Sequence, residues 1–368
     1  MELTIEVAEL AKALQRVQGI VEKKTSMPIL ANVLLRSSGP SSITVSATDL
    51  EIGLSGRYDA VVATEGAMTL GARALYDIVR QLPGDQVTLH QAANQYVEIR
   101  CGSVQYRVLG LSADSYPSLP TFDEVPFFPI DGLMFRDMIE KTLYAVSTDD
   151  TRYNLTGVYC EPRPGPGLRM VATDGHRLAI VDRPMDEAPR MDEGVIIPRK
   201  GLQELKKILD DGEAEARLGF IENSAVLEKG NVLLTMRLVD ARFPDYQQVI
   251  PQAHTQRVRT PKKPLVQALR RTSLLAPDKA QGIRLEAKDD RLVLSAHDPD
   301  LGEAREELDV DLDGEGIKIG FNFRYLLDVL SAITEEEVDL EFNDDLSPGV
   351  IRGVGSEDYR AVVMPMRI

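Results

Sequence analysis

Ile43-Thr-Val-Ser-Ala-Thr-Asp49 occurs three times in this chain with small changes. It returns as Leu168-Arg-Met-Val-Ala-Thr-Asp174 and as Leu292-Val-Leu-Ser-Ala-His-Asp298, and the closing aspartates stand 125 and 124 residues apart. A second landmark keeps the same interval. Glu65-Gly66 precedes Ala-Met-Thr-Leu and a helical run from Ala72 to Leu82. Glu193-Gly194 precedes Val-Ile-Ile-Pro and a run from Arg199 to Leu209, and Glu315-Gly316 precedes Ile-Lys-Ile-Gly and a run from Asn322 to Ile333. A period this long marks a triplicated domain and not a solenoid, whose units run to about 20–50 residues. A tripled domain suits a geometric task better than it suits one catalytic pocket.

Each repeat also opens on apolar residues at helical spacing: Leu10, Leu14, Val17 and Val21; Phe135, Met138, Ile139 and Leu143; Leu265, Ala268, Leu269 and Thr272. Pro264 stands where a helix start tolerates it. Short alternating strands follow, such as Asn32-Val-Leu-Leu-Arg, Thr156-Gly-Val-Tyr-Cys and Gly282-Ile-Arg-Leu-Glu. Two helices among several strands in each repeat predict an α+β fold. Proline-bounded stretches at Pro117–Pro129 and Pro251–Pro261 read as linkers. The expected domains are 1–125, 126–252 and 253–368.

Length 368 and 43% hydrophobic residues allow a packed core in each domain. No run approaches the roughly 20 apolar residues of a membrane span. The start Met1-Glu-Leu-Thr-Ile-Glu lacks a basic, apolar leader, so export is not expected. Two cysteines in different repeats, Cys101 and Cys160, predict reduced thiols and a cytoplasmic location. The scattered histidines, His90, His176, His254 and His297, offer no metal-ligand spacing, and no cofactor is expected.

The net charge is −16, which by itself argues against a nucleic-acid binder. Distribution can reverse that reading when the cations gather on one face and the acidic remainder repels DNA elsewhere. Lys12 and Arg16 lie a turn apart opposite the Leu10 stripe; Arg73 and Arg80 share a face; Arg199 and Lys206 repeat that spacing, with Lys200 and Lys207 alongside. Arg136, Lys141, Lys262, Lys263, Arg270, Arg271 and Arg324 belong to the other helices, and Lys23-Lys24 to a loop. On any single helix such residues are ordinary solubilising groups. Their recurrence at equivalent helices points to a surface that meets phosphates without reading sequence. Aromatics amount to 5% with no Trp, too few for a base-stacking platform.

Ala172-Thr-Asp-Gly-His-Arg-Leu-Ala179, Arg152-Tyr-Asn-Leu-Thr-Gly157, Pro198-Arg-Lys-Gly201, Arg242-Phe-Pro-Asp-Tyr246 and Val362-Val-Met-Pro-Met-Arg-Ile368 resemble the bacterial DNA polymerase III beta subunits, the sliding clamps, over the whole chain. The resemblance implies three clamp domains, each with two helices packed on antiparallel sheets, and a homodimer closing into a ring around double-stranded DNA. It implies a processivity factor without chemistry of its own. The implied partners are the DNA polymerase III alpha subunit, the clamp loader and other replication and repair proteins that carry a clamp-binding motif. In that family a short Gln- and Leu-containing peptide enters a groove. The matching positions are Leu155, Thr173, Gly175, His176, Arg177, Leu178, Pro244, Val249, Val362, Met364, Pro365, Met366 and Arg367. DNA contacts match Lys24, Arg73, Arg152 and Lys200. Dimer contacts match Tyr106 and Val108 on an edge strand against Leu274 and Leu275, with Asp300, Glu303 and Glu306 as an acidic rim. Gln248, Arg305 and Asp149 depart from the family pattern.

A catalytic reading would take Thr173-Asp-Gly-His-Arg177 as a base, an orienting carboxylate and a cation. No activated Ser or Cys motif and no phosphate-cradling glycine loop accompanies them. The third repeat keeps Asp298 but has His297 in the threonine slot, so the aspartate reads better as a turn former. A protein-only scaffold of three domains is the remaining alternative, and retention on DNA lacking free ends separates it from a clamp.

Overall fold

Each copy of the repeated phrase is a strand ending in a tight hairpin. Ser42–Thr48 pairs antiparallel with Ile52–Asp59, Gly167–Thr173 with Arg177–Pro184, and Arg291–Asp298 with Gly302–Asp309. The aspartate closes all three turns. Asp49 Oδ1 accepts the amides of Glu51 and Ile52 at 3.0 and 2.6 Å. Asp174 Oδ1 accepts those of His176 and Arg177 at 2.9 and 3.0 Å. Asp298 Oδ1 accepts those of Asp300 and Leu301 at 2.9 and 3.1 Å. A short acceptor reaching amides two and three residues on is what such a turn needs. The threonines before the first two aspartates add a bond, Thr48 to the Ile52 carbonyl at 2.9 Å and Thr173 to the Arg177 carbonyl at 2.7 Å. The left-handed position is Gly175 in the second copy, at φ +85°, and Leu50 in the first, at φ +80°. A side chain held there carries roughly 1–2 kcal/mol of strain.

The computed structural model describes residues 1–22, 26–120, 122, 124–191, 193–210, 215–276 and 281–367. Among them are α-helices α1 (Val7–Val17), α2 (Ala72–Val79), α3 (Gly132–Leu143), α4 (Arg199–Leu209), α5 (Lys262–Thr272) and α6 (Phe323–Ala332). The apolar stripes expected from the spacing are buried, Leu10, Leu14 and Val17 on α1, Phe135, Met138 and Ile139 on α3, and Leu265, Ala268, Leu269 and Thr272 on α5, while Val21 falls beyond the end of α1. The Asn322 side chain accepts the Arg324 amide at 2.9 Å and caps α6. Lys141 departs from expectation. It lies buried in α3, pairs with Asp137 at 3.2 Å and stands over the Tyr359 ring, so it cannot face a phosphate.

The chain divides into two compact units. The first holds Met1–Leu133 with Lys200–Leu238, and the second Met134–Arg199 with Val239 onward. The central repeat thus contributes to both, because its strands join the sheets of its neighbours. In the first unit an eight-stranded sheet runs Phe128–Ile130, Ala216–Ile221, Ser224–Lys229, Val232–Arg237, Ile52–Asp59, Ser42–Thr48, Asn32–Ser37, Ala67–Gly71. Its join is the antiparallel pairing of Val232–Arg237 with Ile52–Asp59. A five-stranded sheet in the same unit ends on Val104–Leu109. In the second unit a nine-stranded sheet is joined where Arg177–Pro184 pairs antiparallel with Tyr359–Val363. A four-stranded sheet there ends on Gly302–Asp309. Strand-to-strand joins satisfy backbone groups that bare edges would leave open.

Cys101 and Cys160 are both buried and unbonded, and burial, with the Glu161 charge beside it, pushes the Cys160 thiol up so that it stays protonated. Among the described residues no helix is long and apolar enough to cross a membrane.

Tyr116 packs with Ile29, Leu30 and Leu34, and its hydroxyl donates to the Asn32 carbonyl at 3.2 Å. Burial pushes its pKa from 10.0 up to about 12, against a smaller opposing effect from a Thr48 backbone hydrogen bond. The neutral phenol therefore contributes stability that is complete below pH 10 and is lost as pH rises towards 12. Tyr116→Phe should cost about 1 kcal/mol at neutral pH through the lost hydrogen bond. Urea unfolding across the alkaline range should show a shallower fall in stability for the variant than for the wild type.

Candidate functional site

The hairpin turn at Asp174 forms one wall of a pocket of about 290 Å³ in the second unit. Leu155, Thr173, Gly175, His176, Arg177, Leu178, Pro244, Val249, Val362 and Met364 line it, together with Asp245 and Tyr246. Every groove position expected from the sequence is there except Pro365, Met366 and Arg367, which follow the last strand. Asp245 and Tyr246 were not anticipated, although they sit inside the quoted Arg242-Phe-Pro-Asp-Tyr246. The floor is apolar and buried, with Leu155, Leu178 and Val362 at 8, 3 and 2% exposure. Val249 and Met364 at the rim are 46 and 41% exposed and carry the apolar lining out to the surface. The short turn Tyr246–Val249 is capped by Asp245, whose side chain accepts the Gln247 amide at 3.3 Å. Gln248 donates to Asp245 at 2.7 Å, which occupies this departing side chain within its own turn. Tyr246 is fixed from beneath, accepting from Arg169 at 3.0 Å while its hydroxyl bonds Glu161.

Arg177 holds the turn in place. Its Nε donates to Asp174 Oδ2 at 3.1 Å, one terminal nitrogen bonds Asp328 of α6, and the other donates to the Tyr144 carbonyl at 2.7 Å. Its guanidinium also lies over Tyr325, 4.5 Å from the ring centroid, and His176 stacks on the same ring at 6.3 Å. Burial alone would lower the Arg177 pKa, but Asp328 and Asp174 outweigh it and raise it. Tyr144 and Tyr359 share a hydrogen bond of 2.7 Å below, and burial pushes both phenols up, so they stay neutral. Thr173, Asp174 and Arg177 are thus spent on the turn and its anchor, and the His176 ring is stacked on Tyr325, the arrangement of a rigid wall.

The expected phosphate contacts differ in what holds them. Lys24 lies outside the described residues. Arg73 is exposed on α2, and its side chain makes no hydrogen bond or ion pair with another described residue. Arg152 is half exposed, donates to the Asp174 carbonyl at 3.1 Å and stands 3.8 Å from Asp149. The hydroxyl and amide of Thr151 hold the Asp149 carboxyl below its ordinary range. Lys200, at the start of α4, is ion-paired with Asp49 and only 42% exposed. Sequence could not show that the repeated aspartate reaches this lysine.

Three family models together match most of the chain. The N-terminal, central and C-terminal domains of the DNA polymerase III beta subunit match residues 1–120, 130–245 and 247–367. The chain belongs to the DNA polymerase III beta subunit family. It is 35% identical over 371 residues to the beta sliding clamp of Pseudomonas putida, and 35% identical over 369 residues to that of Escherichia coli K12, with full coverage of both chains in each case. The crystal structure of the beta subunit from Pseudomonas aeruginosa is similar at a TM-score of 0.94 and 35% identity, again with both chains covered in full. The function is therefore that of a DNA sliding clamp for DNA polymerase III, a processivity subunit and not a catalyst.

For a clamp, the sheet edges matter as much as the pocket. Val104–Leu109 is an open edge strand with Tyr106 38% exposed and Val108 half-buried. Gly302–Asp309 is another, preceded by the exposed Asp300 and carrying exposed Glu303. Leu274, beside Leu275 in the turn Ser273–Leu275, is 77% exposed. Glu306 is not free: Arg271 donates to it at 2.9 and 2.5 Å and holds its carboxyl below the ordinary range. Arg305 stands 3.5 Å from Glu307.

Arg177→Gln should leave Asp174 and Asp328 without their shared cation. The expected loss is about 2–3 kcal/mol, at or below the usual figure for a buried pair because Asp328 is 46% exposed. Urea unfolding measures it, and Arg177→Lys should recover only part, since the three donors of an ammonium sit on one nitrogen and cannot span acceptors that the guanidinium meets with three.

Proposed function

We propose that two copies of this chain close head to tail around duplex DNA and hold their partners by peptides seated in the pocket beside the Asp174 turn. The observation that carries the reading is that pocket: an apolar floor, a rim with exposed Val249 and Met364, and a wall fixed by the Arg177 network. A methionine at the rim adapts to different side chains, which suits a site shared among several partners. The partners proposed are the DNA polymerase III alpha subunit, the clamp loader, and other replication and repair proteins with a Gln- and Leu-containing segment.

Ring closure is assigned to the two open edges. In this reading Val104–Leu109 of one copy, with Tyr106 and Val108, meets Leu274, Leu275 and the Gly302–Asp309 edge of the other. Asp300 and Glu303 form the acidic rim, and Glu306 acts through its partner Arg271. The sheet then continues across the join, and a heterologous contact closes because each copy holds three similar domains. The proposed domain limits remain 1–125, 126–252 and 253–368.

DNA is held in the hole by Lys24, Arg73, Arg152 and Lys200. Lys200 is the weakest contributor, since Asp49 must be displaced or shared. Direct affinity should fall with salt by a slope of about 0.9 per phosphate neutralised. Linkage around a closed circle has no such dependence. The clamp loaded on a nicked circle should therefore persist at salt that abolishes direct binding, and one double-strand cut should release it from the ends. Gel filtration of labelled protein on circular and cut DNA reads this out. Equal loss from both would refute encirclement.

A further inference from the structure

A second cavity lies on the same sheet face as the partner pocket. Val362 of that pocket and Arg360 are two residues apart on the strand Tyr359–Val363, so they project to one side about 7 Å from each other. The turn Tyr246–Val249 bounds the first pocket, and the next residues, Ile250–His254, bound the second. Its volume is about 230 Å³, and its charged lining is Arg352, Arg360, Glu341 and His254. Its rim is held by two hydrogen bonds: Thr255 N–H donates to the Phe342 carbonyl at 3.0 Å, and the Asn343 side chain donates through Nδ2 to the Ala253 carbonyl at 2.9 Å.

The charges do not balance. Glu341, nearly buried, accepts from Arg352 at 2.9 and 2.6 Å and lies 3.5 Å from His254 Nδ1. Arg352 is thereby neutralised. Arg360 has no such partner: its side chain makes no hydrogen bond or ion pair with another described residue. Continuing the register Gly349↔Val363, Val350↔Val362, Ile351↔Ala361 sets Arg352 directly opposite Arg360. With Arg352 answered by Glu341, the charge left over at this opposed pair is that of Arg360. One free guanidinium fork fits one planar carboxylate. A doubly charged phosphate would exceed the available charge beside Glu341.

We infer that this cavity is an accessory carboxylate site, which receives an aspartate or glutamate flanking the peptide in the neighbouring pocket. The inference rests on the peptide reading of that pocket. An extended chain covers the distance from Val362 to Arg360 in about two or three residues. Partners with an acid at that spacing would bind more tightly than partners without one, so the site grades them.

The test uses the full-length protein and fluorescence anisotropy. Peptides share one Gln- and Leu-containing core and carry two aspartates or two asparagines at either end. At one end the aspartate form should bind about fivefold more tightly than the asparagine form at low salt. Arg360→Gln should abolish that advantage and leave the asparagine peptide unchanged. Equal binding of the two forms at both ends, or an advantage surviving Arg360→Gln, overturns the inference. A second arm titrates acetate while following the His254 imidazole by proton NMR. A shift in the wild type that is absent in Arg360→Gln supports the carboxylate site even if no peptide binds, in which case the peptide reading alone fails. No shift overturns the site, and a stronger response to inorganic phosphate than to acetate overturns its assignment to carboxylates.

Discussion

The carboxylate of Asp174 divides its two oxygens between two tasks. Oδ1 closes the hairpin by accepting two amides, while Oδ2 takes Arg177 Nε. Asp49 does the same in the first repeat, with Oδ1 on two amides and Oδ2 on Lys200. The turn is thus a fixed point to which a long cation can be tied. In the second repeat that cation reaches α6 and the Tyr144 carbonyl, and the pocket wall stands where this chain of bonds puts it. In the first it draws the start of α4 to the turn. Losing Asp49 would open its hairpin and strip Lys200 of its ion pair, and losing Asp174 would open the other and remove one of the two carboxylates on Arg177, which makes either turn costly to alter.

Much of this was legible in the sequence because the turn is local. An aspartate after a strand, followed by its own amides, needs no distant residue, so three copies kept their phrase. The helical stripes were legible for the same reason. The sheet joins were not, since Val232–Arg237 and Arg177–Pro184 read as ordinary strands and only tertiary packing decides which edges they extend. Lys141 looked like a surface cation by type, yet Tyr359 and Asp137, the former more than two hundred residues away in sequence, bury it. Glu306 reads from the sequence as part of an acidic rim, whereas Arg271 of α5 pairs with it in the fold. Ion pairs between separate elements leave no periodic trace in a sequence.

The same limit applies to the charges proposed to face DNA. Residue type marked Arg73 and Lys200 alike, but Arg73 stands exposed and Lys200 is held by Asp49. Cations already satisfied within the fold make a weak grip, and a weak grip is what sliding needs: the protein must stay linked to DNA without being pinned to any phosphate. Net charge of −16 works in the same direction by discouraging contact anywhere else on the surface. In the proposed reading, persistence on DNA comes from closure and not from affinity.

Closure requires a second copy, so the solution mass of the protein is the most direct test. Sedimentation equilibrium at micromolar concentration should return twice the chain mass for the wild type. Leu274→Ala combined with Leu275→Ala should return the single-chain mass with the fold intact. A wild-type protein that sediments as one chain at that concentration would contradict the account, because a single open chain cannot encircle DNA.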